Sequence, residues 1–448
     1  MVSKSDSPPL TGGARGGRKK GDGVLNQSGY RDGASMFRFY LYVGMITFSM
    51  VTHGVAMGEV SVEEPAEVLI IEDNAVYQNN LSGVRIRGTI PVKIKSTTIY
   101  SNGRAGIYAD RHSQVTVTDC DVYKNGRAGI NIDKALSTTV ENSKIYGNKL
   151  AGIRVLTGGQ KETDPTEVKI THSRIYSNET AGIRSMPESD GRVDLSVVES
   201  DVYENQNAGV RVENNTRLTA RGNRIYDNGT AGIVSFESFI PPRLDIYQNR
   251  VFFNRAAGIH VVNGMTGSIG IRNNWIYNNL RSGIVCGLWS EPNVERLNLE
   301  IINNTLVSNG SSDQGAGIRN DSNGRALIMN NIVAYNYVTG IRAKGCQGYS
   351  YNLVFANGNI GNCCDDPHSA PYWVERFQFQ GCRERGEKDL ICDPLFVNPD
   401  HYDFRLQDKS PAIDAGKDMD IYNDDSFPPS KGTARNDMGA TGGPYAAR

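Results

Sequence analysis

The stretch STTIYSNGRAGIYADRHSQVTVTDCDVYKNGRAGINIDKALSTTVENSKIYGNKLAGIRV, Ser96 to Val155, carries one phrase three times at an interval of 23 residues. Its glycine is Gly106, Gly129 and Gly152 here, and recurs at Gly83, Gly182, Gly209, Gly232, Gly258, Gly283, Gly317 and Gly340. A unit this short cannot bury its own apolar face, so eleven copies point to a solenoid in which each coil is stabilised by its neighbours. Within a copy the apolar residues alternate (Val115, Val117, then Val122, then Ile130, Ile132), and no segment with a 3.6-residue period is long enough for a helix. Three short strands per coil, each pairing with its equivalent in the next coil, make an all-β fold: a single right-handed parallel β-helix of about 11–12 coils. At about 4.8 Å per coil the rod is roughly 50–60 Å long.

Two polar ladders accompany the glycines. Four residues before the glycine stands Asn79, Asn102, Asn125, Asn148, Asn178, Asn205, Asn228, Asn254, Asn279 or Asn336, with Asn309 displaced by an insertion. Nine before it stands Thr97, Cys120, Ser143, Ser173, Ser200, Asn223, Asn249, Asn274 or Asn331, with Asn304 offset. Small polar side chains at a fixed corner can bond the next coil's backbone, and Asn tolerates the left-handed conformation of a sharp corner. Both ladders read as structural.

The formal net charge of −1 gives no global attraction to nucleic acid or to an anionic membrane. Residues 1–35 are Gly, Ser, Lys and Arg with little apolar content, which predicts either disorder or an extension preceding a true start at Met36. Residues 36–58 have a short basic start, an apolar run from Tyr40 to Ala56 and small residues before Glu59, the pattern of a secretory signal. The alternative is a membrane anchor, for which 17 residues containing His53 are short. Export to the periplasm or medium, with no stable membrane span after cleavage, is the expectation. The β-helix then occupies 59–357, with residues 60–71 capping its first coil, and 358–448 form a cysteine-containing C-terminal capping segment.

Length variation gathers at one corner, just after the glycine-led strand: 157–166, 185–192, 235–243, 263–267 and 287–296. Insertions on one edge commonly mark the working face of a repeat protein, although surface loops also tolerate length change anywhere. A twelfth coil starts at YNLVFANGN, where Asn352 and Asn357 continue the ladders. Cys346, Cys363, Cys364, Cys382 and Cys392 then crowd together, which in an exported chain signals disulfides. A zinc site is the rival reading, but no C-x-x-C pair is present. Cys120, in the corner ladder, and Cys286, at an inward strand position, read as buried small residues.

The segment CDPLFVNPDHYDFRLQDKSPAIDAG (Cys392–Gly416), followed by NDMGA (Asn436–Ala440), resembles the closing motif of secreted bacterial right-handed parallel β-helix proteins, and the repeats are similar to those of the pectate-lyase-like superfamily. The resemblance covers nearly all of 60–448. It implies the fold; for function it implies only a range, from polysaccharide lyases and C5-epimerases to glycosidases and proteins without known activity.

On the glycine-led strand the residue after the inward isoleucine faces out, and it reads Arg85, Tyr108, Asn131, Arg154, Arg184, Arg211, Val234, His260, Val285, Arg319, Arg342. Three stacked arginines, Arg154, Arg184 and Arg211, repel one another unless an anion lies across them, and a uronate polysaccharide suits guanidinium recognition. The other reading is a solvated face whose arginines splay or pair with Glu213. Phe236, Phe239 and Trp289 in the variable corner, with His260 between them, complete the expected substrate-binding surface. No cofactor is firmly implied. Ca²⁺ held by Asp110 and Asp133 is a weak candidate, because two carboxylates are few for it. Asp366-Pro367-His368 is similar to a motif of mannuronan epimerases but lies outside the repeats and lacks its flanking residues. Non-catalytic binding of an acidic polysaccharide is the first reading; a lyase or epimerase, and a purely structural rod, are the alternatives.

Overall fold

The computed structural model describes residues 68–110, 112–156, 165–188, 191–236, 243–262, 266–287, 296–311, 315–321, 325–343, 349–358, 379–380 and 388–447. Among them the chain forms three 12-stranded parallel sheets, each strand pairing with its counterpart one coil away. One coil shows the scheme: Gln114–Thr118 lies in sheet 1, Asp121–Tyr123 in sheet 2 and Ile130–Asp133 in sheet 3. The short strands alternate because every second side chain turns inward. Ile99, Val122, Ile145, Ile175, Val202 and Ile225 are successive inward residues of sheet 2, and all are fully buried. Each such side chain contributes about 1.5–3 kcal/mol of burial, so the stack repeats a modest gain coil after coil.

Both ladders form as the repeat implies. The backbone N–H of Asn125 and its Nδ2 both donate to Oδ1 of Asn148 in the next coil, at 3.1 and 3.0 Å, and the same Nδ2 donates to the carbonyl of Ile99 in the coil before, at 3.3 Å. Asn304 and Asn309, offset in sequence, take their places in register. Cys120 substitutes for serine at its rung, where its backbone N–H donates to Ser143 Oγ. The left-handed residue, however, precedes the ladder side chain: Ser101 (φ 53°), Lys124 (φ 51°) and Asp119 (φ 54°) stand before Asn102, Asn125 and Cys120. The cost of order 1 kcal/mol therefore falls on an outward residue, which leaves the ladder amide free to span two coils. Gly129 is required by close approach: a Cβ there would meet Ile145 Cγ2 at 2.6 Å and Asn148 Nδ2 at 2.8 Å.

Of the stretch expected to cap the first coil, 60–67 lie outside the described residues, and Leu69–Glu72 is the first strand of sheet 1, pairing in parallel with Pro91–Lys95. Its apolar run serves as sheet because its edge finds a partner strand. The C-terminal segment meets the last coil, where Asp389 accepts from the ladder amide of Asn352 and Leu390 bridges Leu353, and its later part lies against the side of the solenoid. Phe396, Phe404, Leu406, Ala412, Met438 and Ala440 pack on the outer face of sheet 2 over Phe252, Trp275, Tyr277, Val307 and Ala334. Asn303 Nδ2 donates to the carbonyl of Asp437 at 2.8 Å, and the Gly439 N–H donates to the carbonyl of Asn330 at 2.7 Å, so the NDMGA motif is held by corner asparagines.

Within this segment Asp424 and Asp437 are buried carboxylates. Burial pushes Asp424 up to about 7 and Asp437 up to about 6, against backbone N–H donors that pull the other way. The folded segment therefore holds protons that the unfolded chain, with Asp near 3.9, has already released. Its stability should be greatest at about pH 4 and fall as pH rises to about 7. Limited proteolysis at pH 5 and pH 8 measures this: faster cleavage within 392–447 at pH 8 is expected, and better protection at pH 8 would refute it.

Candidate functional site

The outer face of sheet 3 assembles the row read from the repeats. Arg85, Tyr108, Asn131, Arg154, Arg184 and Arg211 are directly paired along consecutive strands, and Val234, His260, Val285, Arg319 and Arg342 continue the row. The three arginines do stack, but two of them already share an anion. Glu213 Oε1 accepts from Arg184 Nε at 3.1 Å and from Arg211 Nε at 2.6 Å. The Arg211 guanidinium also lies over the Phe236 ring, 4.0 Å from its centroid. The repulsion that seemed to require a ligand is offset there from within the chain.

Arg154 differs. It is half-buried, has no carboxylate partner among the described residues, and its guanidinium is pulled below the ordinary arginine value by burial, then by Arg184 and Arg127. It borders a depression of about 280 Å³ lined by Arg85, Arg104, Arg127, Tyr108, Asn131 and Asp133, with Leu81 and Leu156 at its margins. Arg104 and Arg127 come from the corner between sheets 2 and 3, Arg85 and Arg154 from the strands, so cations reach the depression from both sides. Tyr108 donates to Asp133 Oδ2 at 2.8 Å, and burial followed by that bond pushes its phenol up to about 12.

Asp110 and Asp133 sit in register on neighbouring strands. Asp110 is paired with Arg87 at 2.8 Å and Arg85 at 3.5 Å, and Asp133 is engaged by Tyr108. Two carboxylates so occupied do not fit calcium, which takes six to eight oxygens. Among the described residues no three His, Cys, Asp or Glu side chains form a metal-binding group. His260 lies four coils from Arg154, about 19 Å away along the sheet, so the two do not share the depression. Burial, then Arg281 and Arg319, pull the imidazole below its ordinary value and keep it neutral. Phe239 and Trp289 lie outside the described residues, as do Cys346, Cys363, Cys364, Cys382, residues 36–58 and Asp366–His368. Cys120, Cys286 and Cys392 have free thiols, the first two buried as expected, whereas Cys392 departs from the expectation that it joins a disulfide.

Residues 43–194 and, overlapping them, 137–279 match the family described as "right handed beta helix region", together more than half of the chain. The chain belongs to the right-handed β-helix family. Among solved structures this β-helix protein is similar to a pectate lyase, Pel9A, with 15% identity over 86% of this chain and 76% of that one and a TM-score of 0.34. It is similar too to the A-module of the Azotobacter vinelandii mannuronan C-5 epimerase AlgE6, with 16% identity, coverage of 65% and 70% and a TM-score of 0.40. A double mutant of the periplasmic alginate epimerase AlgG matches with 15% identity, coverage of 61% and 82% and a TM-score of 0.39. No curated protein matches the sequence.

Two features of this β-helix protein escaped the sequence reading. Arg104 and Arg127 stand in the twice-repeated NGRAGI, at a corner position that the outward parity of the strands does not reach. The second is a column of stacked rings on sheet 2: Tyr77, Tyr100, Tyr123, Tyr146, Tyr176, Tyr203 and Tyr226, with centroids 4.8–5.1 Å apart. Its signal is the tyrosine two residues before each ladder asparagine from Asn79 to Asn228.

Proposed function

We propose that the protein binds an acidic polysaccharide along the outer face of sheet 3, entering at the depression between Arg104, Arg127 and Arg154. The observation that carries this reading is Arg154, a half-buried guanidinium without a carboxylate partner among the described residues, held beside other arginines. Guanidinium groups on both sides of a shallow groove suit carboxylates projecting from both sides of an extended uronate chain. Arg184, Arg211, Phe236 and His260 extend the face toward the later coils, and Phe236 supplies an apolar edge for a sugar ring. The reading requires export, with 36–58 as the signal and disulfides confined to Cys346, Cys363, Cys364 and Cys382. No nucleic-acid partner is proposed.

The Tyr108–Asp133 pair favours a second reading, because Asp133 is the one carboxylate among the described residues lining the depression and is placed to take a proton α to a bound uronate. Both readings are tested by incubating the protein with pectate and with alginate. Binding should weaken as salt rises, since exposed charges are screened over about 10 Å at 0.1 M. Addition of EDTA should leave it unchanged. Binding without an unsaturated, ultraviolet-absorbing product and without a changed uronate ratio establishes the module; either change establishes lyase or epimerase. Absence of affinity for both polymers would leave a structural rod.

A further inference from the structure

The tyrosine column on sheet 2 faces away from the arginine groove and is unused by the function proposed above. Its seven rings lie face to face, with interplanar angles of 16° or less, so from Tyr100 onward both faces of each ring are taken up by its neighbours. What the column presents outward is ring edges and a line of phenol hydroxyls. The rings are half-buried, yet no hydroxyl bonds another described residue, and none is shut away from solvent. Burial pushes Tyr146 up to about 12 and raises Tyr123, Tyr176, Tyr203 and Tyr226, phenols that are hydrogen-bond donors at neutral pH in any case.

The column changes composition where it is covered. In register beyond Tyr226 come Phe252, Tyr277, Val307, Ala334 and Phe355, and there the C-terminal segment lies on top, with Tyr402 stacked on Tyr277 at 5.4 Å. Four of those five positions have no hydroxyl, whereas all seven uncovered positions have one. Of the charges beside the open rungs, Lys144 pairs with Asp121 at 3.6 Å and Arg224 with Asp201 at 4.0 Å, while the cations Arg174 and Lys124 are balanced in number by Glu204 and Asp227. The face therefore offers a regular line of neutral donors and acceptors, roughly 29 Å long at one rung per coil, and no net charge to select an ion.

We propose that the open tyrosine ladder is a second binding surface, taking a neutral, hydroxyl-rich linear polysaccharide laid along the solenoid axis. A polymer that presents hydroxyls once per sugar ring meets a phenol at every rung. Such a partner needs neither free ring faces nor a counter-charge. The two faces would let one molecule bridge an acidic and a neutral glycan.

Affinity electrophoresis of the full chain through gels containing soluble hydroxyethylcellulose or galactomannan tests this. Retardation in at least one gel is expected. The triple variant Y123F/Y146F/Y176F keeps every ring contact, so its melting temperature should match the parent. Loss of three hydroxyl contacts should weaken neutral-gel retention about tenfold or more, with retention by pectate unchanged. No retardation in either neutral gel, or equal retardation of the variant, would overturn the proposal. Equal loss of pectate retention in the variant would refute the separation of the two surfaces, whereas failure of pectate binding alone would count only against the groove on sheet 3.

Discussion

Replacing Ile132 with aspartate should destabilise the solenoid by at least about 4 kcal/mol, the combined loss of a buried aliphatic side chain and burial of an unpaired polar group. Ile132 is fully buried and paired in register between Ala109 and Val155, so the new carboxyl has apolar neighbours on both sides along the stack. Neither a lost hydration shell nor a counter-ion is replaced there. Because each coil touches only its neighbours, the damage should centre on the coils around 107–156 and reach the C-terminal coils last. Denaturant unfolding measures the loss and hydrogen exchange its location. A variant that unfolded at the parental denaturant concentration would overturn the inward assignment of sheet 3.

The second large effect concerns the arginines. The double replacement of Arg127 and Arg154 by alanine should lower affinity for pectate or alginate about 10-fold to 100-fold or more, the range expected for losing charge-assisted hydrogen bonds. The fold should be untouched, since neither guanidinium has a carboxylate partner among the described residues whose charge would be left stranded. Arg184→Ala is the informative comparison. Its guanidinium already shares Glu213 with Arg211, so its removal should matter about threefold or less. Isothermal titration of the three proteins at low salt decides: an Arg184→Ala loss equal to that of the double variant would place the ligand on the later coils instead.

Much of this architecture was legible because a repeat states its own register. The glycine spacing marks each coil, the alternation of Val115, Val117 and Ile132 marks the inward face, and the asparagines mark a corner. All of these are local relations, and stacking merely copies them along the axis. The row from Arg85 to Arg342 followed for the same reason. What a row of like residues does was legible only as two alternatives, an anion laid across it or pairing with Glu213, because the choice depends on side chains at other positions in the coil. Glu213, two residues beyond Arg211, bonds both Arg211 and Arg184 of the preceding coil, which leaves Arg154 as the member of the three without a carboxylate partner among the described residues.

The sequence by itself determined the coil, its three strands, its two ladders and which positions face out, since period and parity suffice for those. Tertiary structure alone decided that Arg104 and Arg127 join Arg85 and Arg154 around one depression, because the corner between two sheets brings together residues that strand periodicity keeps apart. It also decided that the C-terminal segment folds back over sheet 2, through contacts such as Asn303 with Asp437, 134 residues apart in the chain. That docking leaves seven tyrosines open and covers the positions beyond them, and a contact so distant in sequence carries no period from which it could be read.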